Sequence, residues 1–343
     1  MLIALWWAIT APAWTGTAAA NPMNPDLSVI GTIAGRWTDD RTAGPRFEAA
    51  LEEVELGLKS DVDPYLTAEA FLAGDRAGFG VEEAHLDTLA LPANLKASLG
   101  RIRASFGKLN LTHEHTWYTV TPPLLATNLF DGAAWVDDGA RLSWIAPLDT
   151  YHEVTVEALR GRDAGSFSGG ASADWAGAGH LKNFFDLTDA TSLEAGWSVA
   201  RGPDGPGTGS HTNLGGADLT LKWRPPEANV RRSVALQAEG ALVARDRPNP
   251  AGGLTVARTP MGWLLLDVQP GQRWHVAARV DGAADSRDPH VHARAAAGVI
   301  SYSPSEFSNL MIETRGDRAG GHAWTTVTTR LTFSIGPHGA HPF

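Results

Sequence analysis

Residues 325–335 read TTVTTRLTFSI, and the chain then ends GPHGAHPF. Thr325, Val327, Thr329, Leu331, Phe333 and Ile335 alternate with Thr326, Thr328, Arg330, Thr332 and Ser334. A period of two is that of a strand with one wet face and one apolar face. A soluble domain that used such a strand would have to cover the apolar face with a second layer.

The same alternation recurs along the chain. EVELGLK (53–59) sets Val54, Leu56 and Leu58 against Glu53, Glu55 and Lys59. HEVTVEA, GADLTLKWRP and QRWHVAARVDG repeat the pattern at 152–158, 216–225 and 272–282. Sixteen strands are expected: 28–37, 47–58, 64–73, 80–88, 95–106, 139–148, 152–160, 180–187, 190–200, 214–223, 231–244, 254–268, 272–282, 291–303, 306–315 and 323–335. Each is close to the roughly 9–11 residues that cross a bilayer at a tilt. Tight links alternate with longer ones rich in Gly, Asp and Pro (38–46, 107–138, 161–179, 201–213, 245–253, 283–290 and 316–322). Short turns on one side and long loops on the other is the layout of an outer-membrane barrel. The expected fold is therefore all-β: a transmembrane antiparallel up-and-down barrel with a long third extracellular loop. Lipid would cover the last strand's apolar face, and the first strand would close its edge.

Composition narrows the function classes. The net charge of −10 argues against a nucleic-acid partner. The chain has no cysteine, so thiolate chemistry and disulfides are excluded. It contains no G-x-S-x-G, H-E-x-x-H or phosphate-loop motif, and no enzyme is expected. The segment MLIALWWAITAPAWTGTAAA, residues 1–20, reads as an export signal ending in Ala18-Ala19-Ala20, although it lacks a basic start. Residues 21–343 would then form the barrel. Trp37, Trp223, Trp274 and Trp324 fall at or near strand ends, where indole prefers a membrane interface.

Several stretches resemble a family of Gram-negative outer-membrane barrels labelled zinc-regulated TonB-dependent outer membrane receptors, similar in style to phosphate-selective porins. They include NPDLSVIG (24–31), EVELGLKSDVDPYLTAEAFLA (53–73), VEEAHLDTLALP (81–92), GRIRASFGKLN (100–110), LKNFFDLTDATSLEAGWS (181–198) and SPSEFSNLMIETR (303–315). The resemblance implies outer-membrane lipid and the barrel-assembly machinery as partners. Energised transport is not expected, because only seven residues separate Asn21 from the first strand and a TonB-dependent barrel needs a plug and about 22 strands.

The polar set would line an aqueous lumen. Expected wall residues are Glu53, Glu55, Glu69, Glu83, His85 and Asp87 on one side. Arg101, Arg103, Arg141, Arg273, Arg279, Arg294, Arg315 and Arg330 would stand elsewhere around it. Patches of opposite sign would favour small polar or charged solutes. The 107–138 connection is too long for a hairpin loop. Folded inward, it would set Glu114, Asp131, Asp137 and Asp138 against the arginines as a constriction. The alternatives are a cap outside the barrel or a subunit interface through Trp117, Leu124, Leu125 and Phe130, as in a homo-oligomer. His113 and His115 share a face in extended chain and form a candidate metal pair; no other cofactor is indicated. A porin-like passive channel is the leading expectation, set against a barrel acting as an anchor, sleeve or surface interaction protein, and against a secreted soluble β protein.

Overall fold

The protein was analysed as a computed structural model, which describes residues 25–336 apart from 43, 131, 133, 163–164, 171–173, 206–208, 229–230, 249–252 and 286–289. The export-signal reading, Asp131 and the terminal Phe343 lie outside the described residues.

Sixteen antiparallel strands form a closed barrel in chain order. They are β1 (Asp26–Thr38), β2 (Phe47–Asp61), β3 (Leu66–Gly74), β4 (Phe79–Thr88), β5 (Leu95–Arg103), β6 (Val136–Ile145), β7 (Tyr151–Leu159) and β8 (Ala176–Thr188). The second half holds β9 (Thr191–Pro203), β10 (His211–Trp223), β11 (Ser233–Pro248), β12 (Leu254–Gly271), β13 (Trp274–Ala284), β14 (His292–Ser305), β15 (Ser308–Ala319) and β16 (His322–Ile335). One short helix, α1 (Leu124–Phe130), lies in the connection between β5 and β6. The 325–335 stretch lies in β16, the last strand, and it needs no second layer. It pairs with β1 from Val29↔Ile335 to Thr38↔Thr326, so neither sheet edge is left open. Gly31 opposes Phe333 across this seam, and the Phe333 ring covers the space a Gly31 side chain would take.

The period of two becomes the two faces of the wall. On β16, Thr326, Thr328 and Arg330 are buried toward the lumen, whereas Leu331 and Ile335 are exposed outside. On β13, Ala277, Arg279 and Asp281 point in, and Trp274, Val276 and Val280 point out. The outer face is thus a continuous apolar band. Exposed aromatics rim it at both ends: Tyr65, Trp144, Tyr151, Trp223, Trp274 and Phe307 near the short turns, and Trp37, Phe47, Phe79 and Trp175 near the long loops. Among the described residues no helix is long and apolar enough to cross a membrane, so any crossing is made by strands.

Three features differ from the sequence expectation. First, loop lengths do not alternate strictly. β15 and β16 run on past the expected 316–322 loop and join through Gly320-Gly321, with φ of 57° and 82°, the backbone of a tight two-residue hairpin turn. Second, the third connection spans 104–135, because β5 stops at Arg103 and β6 begins at Val136. Third, the lumen is not simply aqueous. Phe106, Leu125, Leu129, Phe130, Trp135, Phe167, Val243, Met261 and Leu265 form an apolar cluster inside the barrel. It forms because α1 turns its buried face onto the inner side of β12 and β13.

The β15–β16 turn gives a first prediction. Gly320→Val places a β-branched residue at positive φ and is expected to cost about 1–2 kcal/mol. The urea midpoint at which the heat-modifiable band disappears should fall accordingly, and an unchanged midpoint would count against this turn.

Candidate functional site: the waist of the barrel

The connection between β5 and β6 enters the lumen and is fixed there by wall residues. Its neck closes when the Ala104 N–H donates to the Trp135 carbonyl at 2.9 Å. Asn110 Nδ2 donates to the Ala104 and Trp135 carbonyls, and Asn110 Oδ1 accepts from the Trp135 N–H at 2.7 Å. On the β7 wall, Glu157 accepts from the backbone N–H and hydroxyl of Ser105, each at 2.9 Å, and from Arg141 Nε at 2.6 Å. Opposite, Glu313 on β15 accepts from the N–H groups of Val120 at 2.8 Å and Thr121 at 3.3 Å, and from the Thr121 hydroxyl at 2.5 Å. Asp281 on β13 accepts from the Leu124 N–H at 3.1 Å, at the start of α1.

The arginines therefore do something other than face open water. Arg279 donates to the carbonyls of Thr121 at 2.7 Å and Pro122 at 3.2 Å and to the Thr119 hydroxyl, while its Nε bonds Asp281 at 3.0 Å. Arg315 donates to the Thr121 hydroxyl and the Pro122 carbonyl, both at 2.9 Å. Arg330 reaches the Val120 carbonyl at 3.4 Å. Much of the charge on this wall is spent on holding residues 119–124, which sequence alternation alone does not show.

Across the lumen, β2, β4 and β5 build an ion cluster around the same loop. His113 Nδ1 lies 2.9 Å from Glu55 Oε2, and its Nε2 lies 3.3 Å from Glu83 Oε1. Arg103, at the end of β5, donates Nε to Glu83 at 2.7 Å and also contacts Glu82. Burial opposes the charged imidazole, but the hydrogen bonds to Glu55 and Glu83 outweigh it and push the His113 pKa up to about 9. His113 is thus an imidazolium at neutral pH with both N–H groups donated to carboxylates. The candidate metal pair gains a third group here, since donor atoms of Glu55, His113 and His115 lie within 4.8 Å of one another. With both ring nitrogens of His113 facing carboxylates, an ion bound there would have to displace a proton.

The other expected residues fall as follows. Glu53, Glu69, Glu83, Asp87 and His85 belong to the inward set of β2–β4, with Glu69 opposite His85. Glu114 lines a cavity together with Arg36, Glu52, Glu53 and Arg330. Burial pushes its carboxyl above the usual range, against the pull of Arg330 and Arg103. Arg273 is exposed in the β12–β13 turn at the short-turn mouth. Asp137 is buried and accepts from the N–H groups of Gly161 at 2.6 Å and Arg162 at 3.2 Å, so it fastens the β7–β8 loop and not a constriction. Three residues lie on the outer face. Arg101 and Asp138 are register partners on the same side as exposed Leu99, because Ile102 turns inward to join the apolar cluster. Arg294 shares the outward set of β14 with Ile300, because Ala295, Ala297 and Val299 face inward; Val299 packs under Val120. Glu157, Asp281 and Glu313 were not singled out from sequence, nor was Glu239 on β11, which accepts from the Leu109 N–H at 3.3 Å. Each carries only the weak signal of a charge at an alternate position of its strand.

Two vestibules remain. One of about 660 Å³ opens toward the long loops and is lined by Arg36, Glu48, Glu52, Asp75, Arg76, Glu114 and Arg330. The short-turn side holds cavities of about 670 Å³ and about 400 Å³. His115 lines all three. It stands at the waist, between the cavities of the two sides.

Comparison with known proteins agrees with the geometry. No family model matches the sequence. A protein of Aquifex aeolicus (strain VF5), described as an uncharacterized protein, is 27% identical over 336 residues, covering 85% of this chain and 70% of its own length. Among solved structures, the anion-selective porin from Comamonas acidovorans has a TM-score of 0.62 at 13% identity, over 91% of this chain and 99% of that one. The outer membrane channel DcaP of Acinetobacter baumannii has a TM-score of 0.59 at 11% identity, over 91% and 98%. OmpF of Salmonella typhi, solved with daunomycin, has a TM-score of 0.60 at 12% identity, over 91% and 97%. At these identities the likeness shows the fold: this chain has the sixteen-strand barrel of porins.

The His113 cluster predicts a pH dependence. Its folded-state pKa of about 9 lies above the unfolded value of about 6.5, so the cluster stabilises fully below pH about 6.5 and loses that effect as pH rises through about 9. The loss is expected to reach no more than about 3 kcal/mol. Urea unfolding at pH 6, 8 and 10 should show this decline in the native chain and not in His113→Gln. Equal pH dependence in both would contradict the assignment.

Proposed function

We propose that the chain is a passive, porin-like channel of the outer membrane that passes small polar or charged solutes. The observation that carries this is the waist: an internal loop, fixed on both walls, leaves vestibules on either side that share one residue, His115. The apolar outer band with its two aromatic rims suits a lipid bilayer. Acids on β2 and in the loop share the outer vestibule with arginines on β1 and β16, an arrangement that orients dipolar or charged solutes. Porin and channel neighbours support the same reading. A plugged, energised receptor fits less well, since such barrels have about 22 strands. OmpT of Vibrio cholerae, described in a trimer form, is another structural neighbour at a TM-score of 0.55, and a homo-oligomer is the assembly we would look for first. The reading assigns no catalysis.

The apolar cluster that fills one side of the lumen gives the second reading, a closed barrel that anchors or sleeves a partner. Planar-bilayer recording of the refolded chain separates the two. A channel gives uniform steps, and His115→Trp, which fills the waist, should reduce their height at least about twofold, a size argued from packing a large ring into a narrow space. Absence of steps from a correctly folded barrel would favour the anchor.

A further inference from the structure

The cluster of Glu69, His85 and Asp87 lies apart from the waist, on the inner wall of β3 and β4 near the short turns. Glu69 and His85 are register partners, and Asp87 follows two residues on along the same face. One donor atom from each lies within 4.8 Å of the other two. His85 Nε2 is 3.9 Å from Glu69 Oε2 and 3.7 Å from Asp87 Oδ2. Those separations are too long for hydrogen bonds. They suit an ion held between the three, because donors bound at roughly 2.0–2.2 Å in a tetrahedral shell stand ~3–4 Å apart.

The second observation is the state of the donors themselves. The His85 and Asp87 side chains are only 10% and 9% exposed. Yet His85 makes no hydrogen bond: its Nδ1 is buried without a partner, and its Nε2, the atom turned to both carboxylates, is beyond hydrogen-bond reach of either. Leaving such atoms unsatisfied costs free energy unless something unseen satisfies them. Opposite His85 stands Gly100, with a φ of 140°; a side chain there would meet the Ala84 carbonyl at 2.3 Å and His85 Cα at 2.8 Å. β4 and β5 therefore approach closely at His85 because residue 100 is glycine. Lys96 lies 2.8 Å from Asp87 Oδ2 and Lys59 3.5 Å from Glu69, but both lysines are more than half exposed and can swing into water.

We propose that Glu69, His85 and Asp87 form a site for a divalent transition-metal ion on the lumen wall near the short-turn mouth. One imidazole and two carboxylates suit ions of the Zn²⁺ or Mn²⁺ type, with water completing the shell. Lys59 and Lys96 act as resident counter-charges that the ion displaces. The site differs from the His113 cluster, where the imidazole already bonds two carboxylates within 3.3 Å. It does not depend on conduction.

The test uses the untagged, refolded full chain, freed of metal with a chelator and then titrated with Zn²⁺ alone by calorimetry and equilibrium dialysis. One ion per chain should bind. His85→Ala and Glu69→Gln should each weaken that binding by at least about tenfold, as loss of a ligand requires. His113→Ala should leave it unchanged. The heat-dependent gel shift reports whether each variant is folded. Lys96→Gln provides the converse, since removing the competing ammonium should tighten binding. Absence of binding by the native chain, binding undiminished in folded His85→Ala, or a Lys96→Gln variant that binds no more tightly would each overturn the proposal.

Discussion

The ladder between β1 and β16 is the constraint on which the rest of this structure depends. Ten residue pairs, from Val29↔Ile335 to Thr38↔Thr326, remove the two edges that a sixteen-strand sheet would otherwise have. Hydrocarbon offers no water to satisfy a bare strand edge, so closure and an apolar outer face go together. Once the sheet is closed, alternation forces every second side chain into the lumen. That explains why so many charged groups, including Glu55, Arg279 and Glu313, are buried in a wall only one sheet thick.

Buried charges are costly unless each has a partner. Here the partners come from the loop as often as from neighbouring strands. Glu313 and Glu157 take backbone N–H groups, Arg279 and Arg315 take carbonyls, and Glu55 and Glu83 hold the His113 imidazolium between them. Removing one such partner leaves the other charge stranded, which is why the loop is held at several points and from opposite walls. α1 adds an apolar contact to β12 and β13 and fills the space that the loop does not need to leave open. The loop divides what remains open, and His115 lines the cavities on both sides of it.

The strands were legible because each carries its own period of two, and all sixteen appear where that pattern puts them, with ends shifted by a few residues. Which face a charge occupies was legible only where the inner face is polar. On β14 the inner residues are Ala295, Ala297 and Val299, covered by the loop, so Arg294 was read as inward when it points out. Partnership was not legible at all. Thr121 and Glu313 are 192 residues apart, and Glu55 and His113 are 58 apart; alternation names a face but never the neighbour across it. The same limit hid Glu55 and Glu83 from the His113 and His115 pair, since those carboxylates come from two other strands. The Glu69, His85 and Asp87 cluster escaped for the same reason: three residues given as wall charges meet only when β3 and β4 are paired in register.

The proposed channel requires a continuous path past His115, and the chain suits a direct test because it contains no cysteine. His115→Cys places a single thiol at the waist. In a planar bilayer, a small charged methanethiosulfonate reagent is added to one side and then, in a separate recording, to the other. If the two vestibules join at this residue, the current falls irreversibly whichever side receives the reagent, and the unsubstituted chain does not respond. Modification from one side only, with current undisturbed from the other, would mean that the solute path bypasses the waist described here.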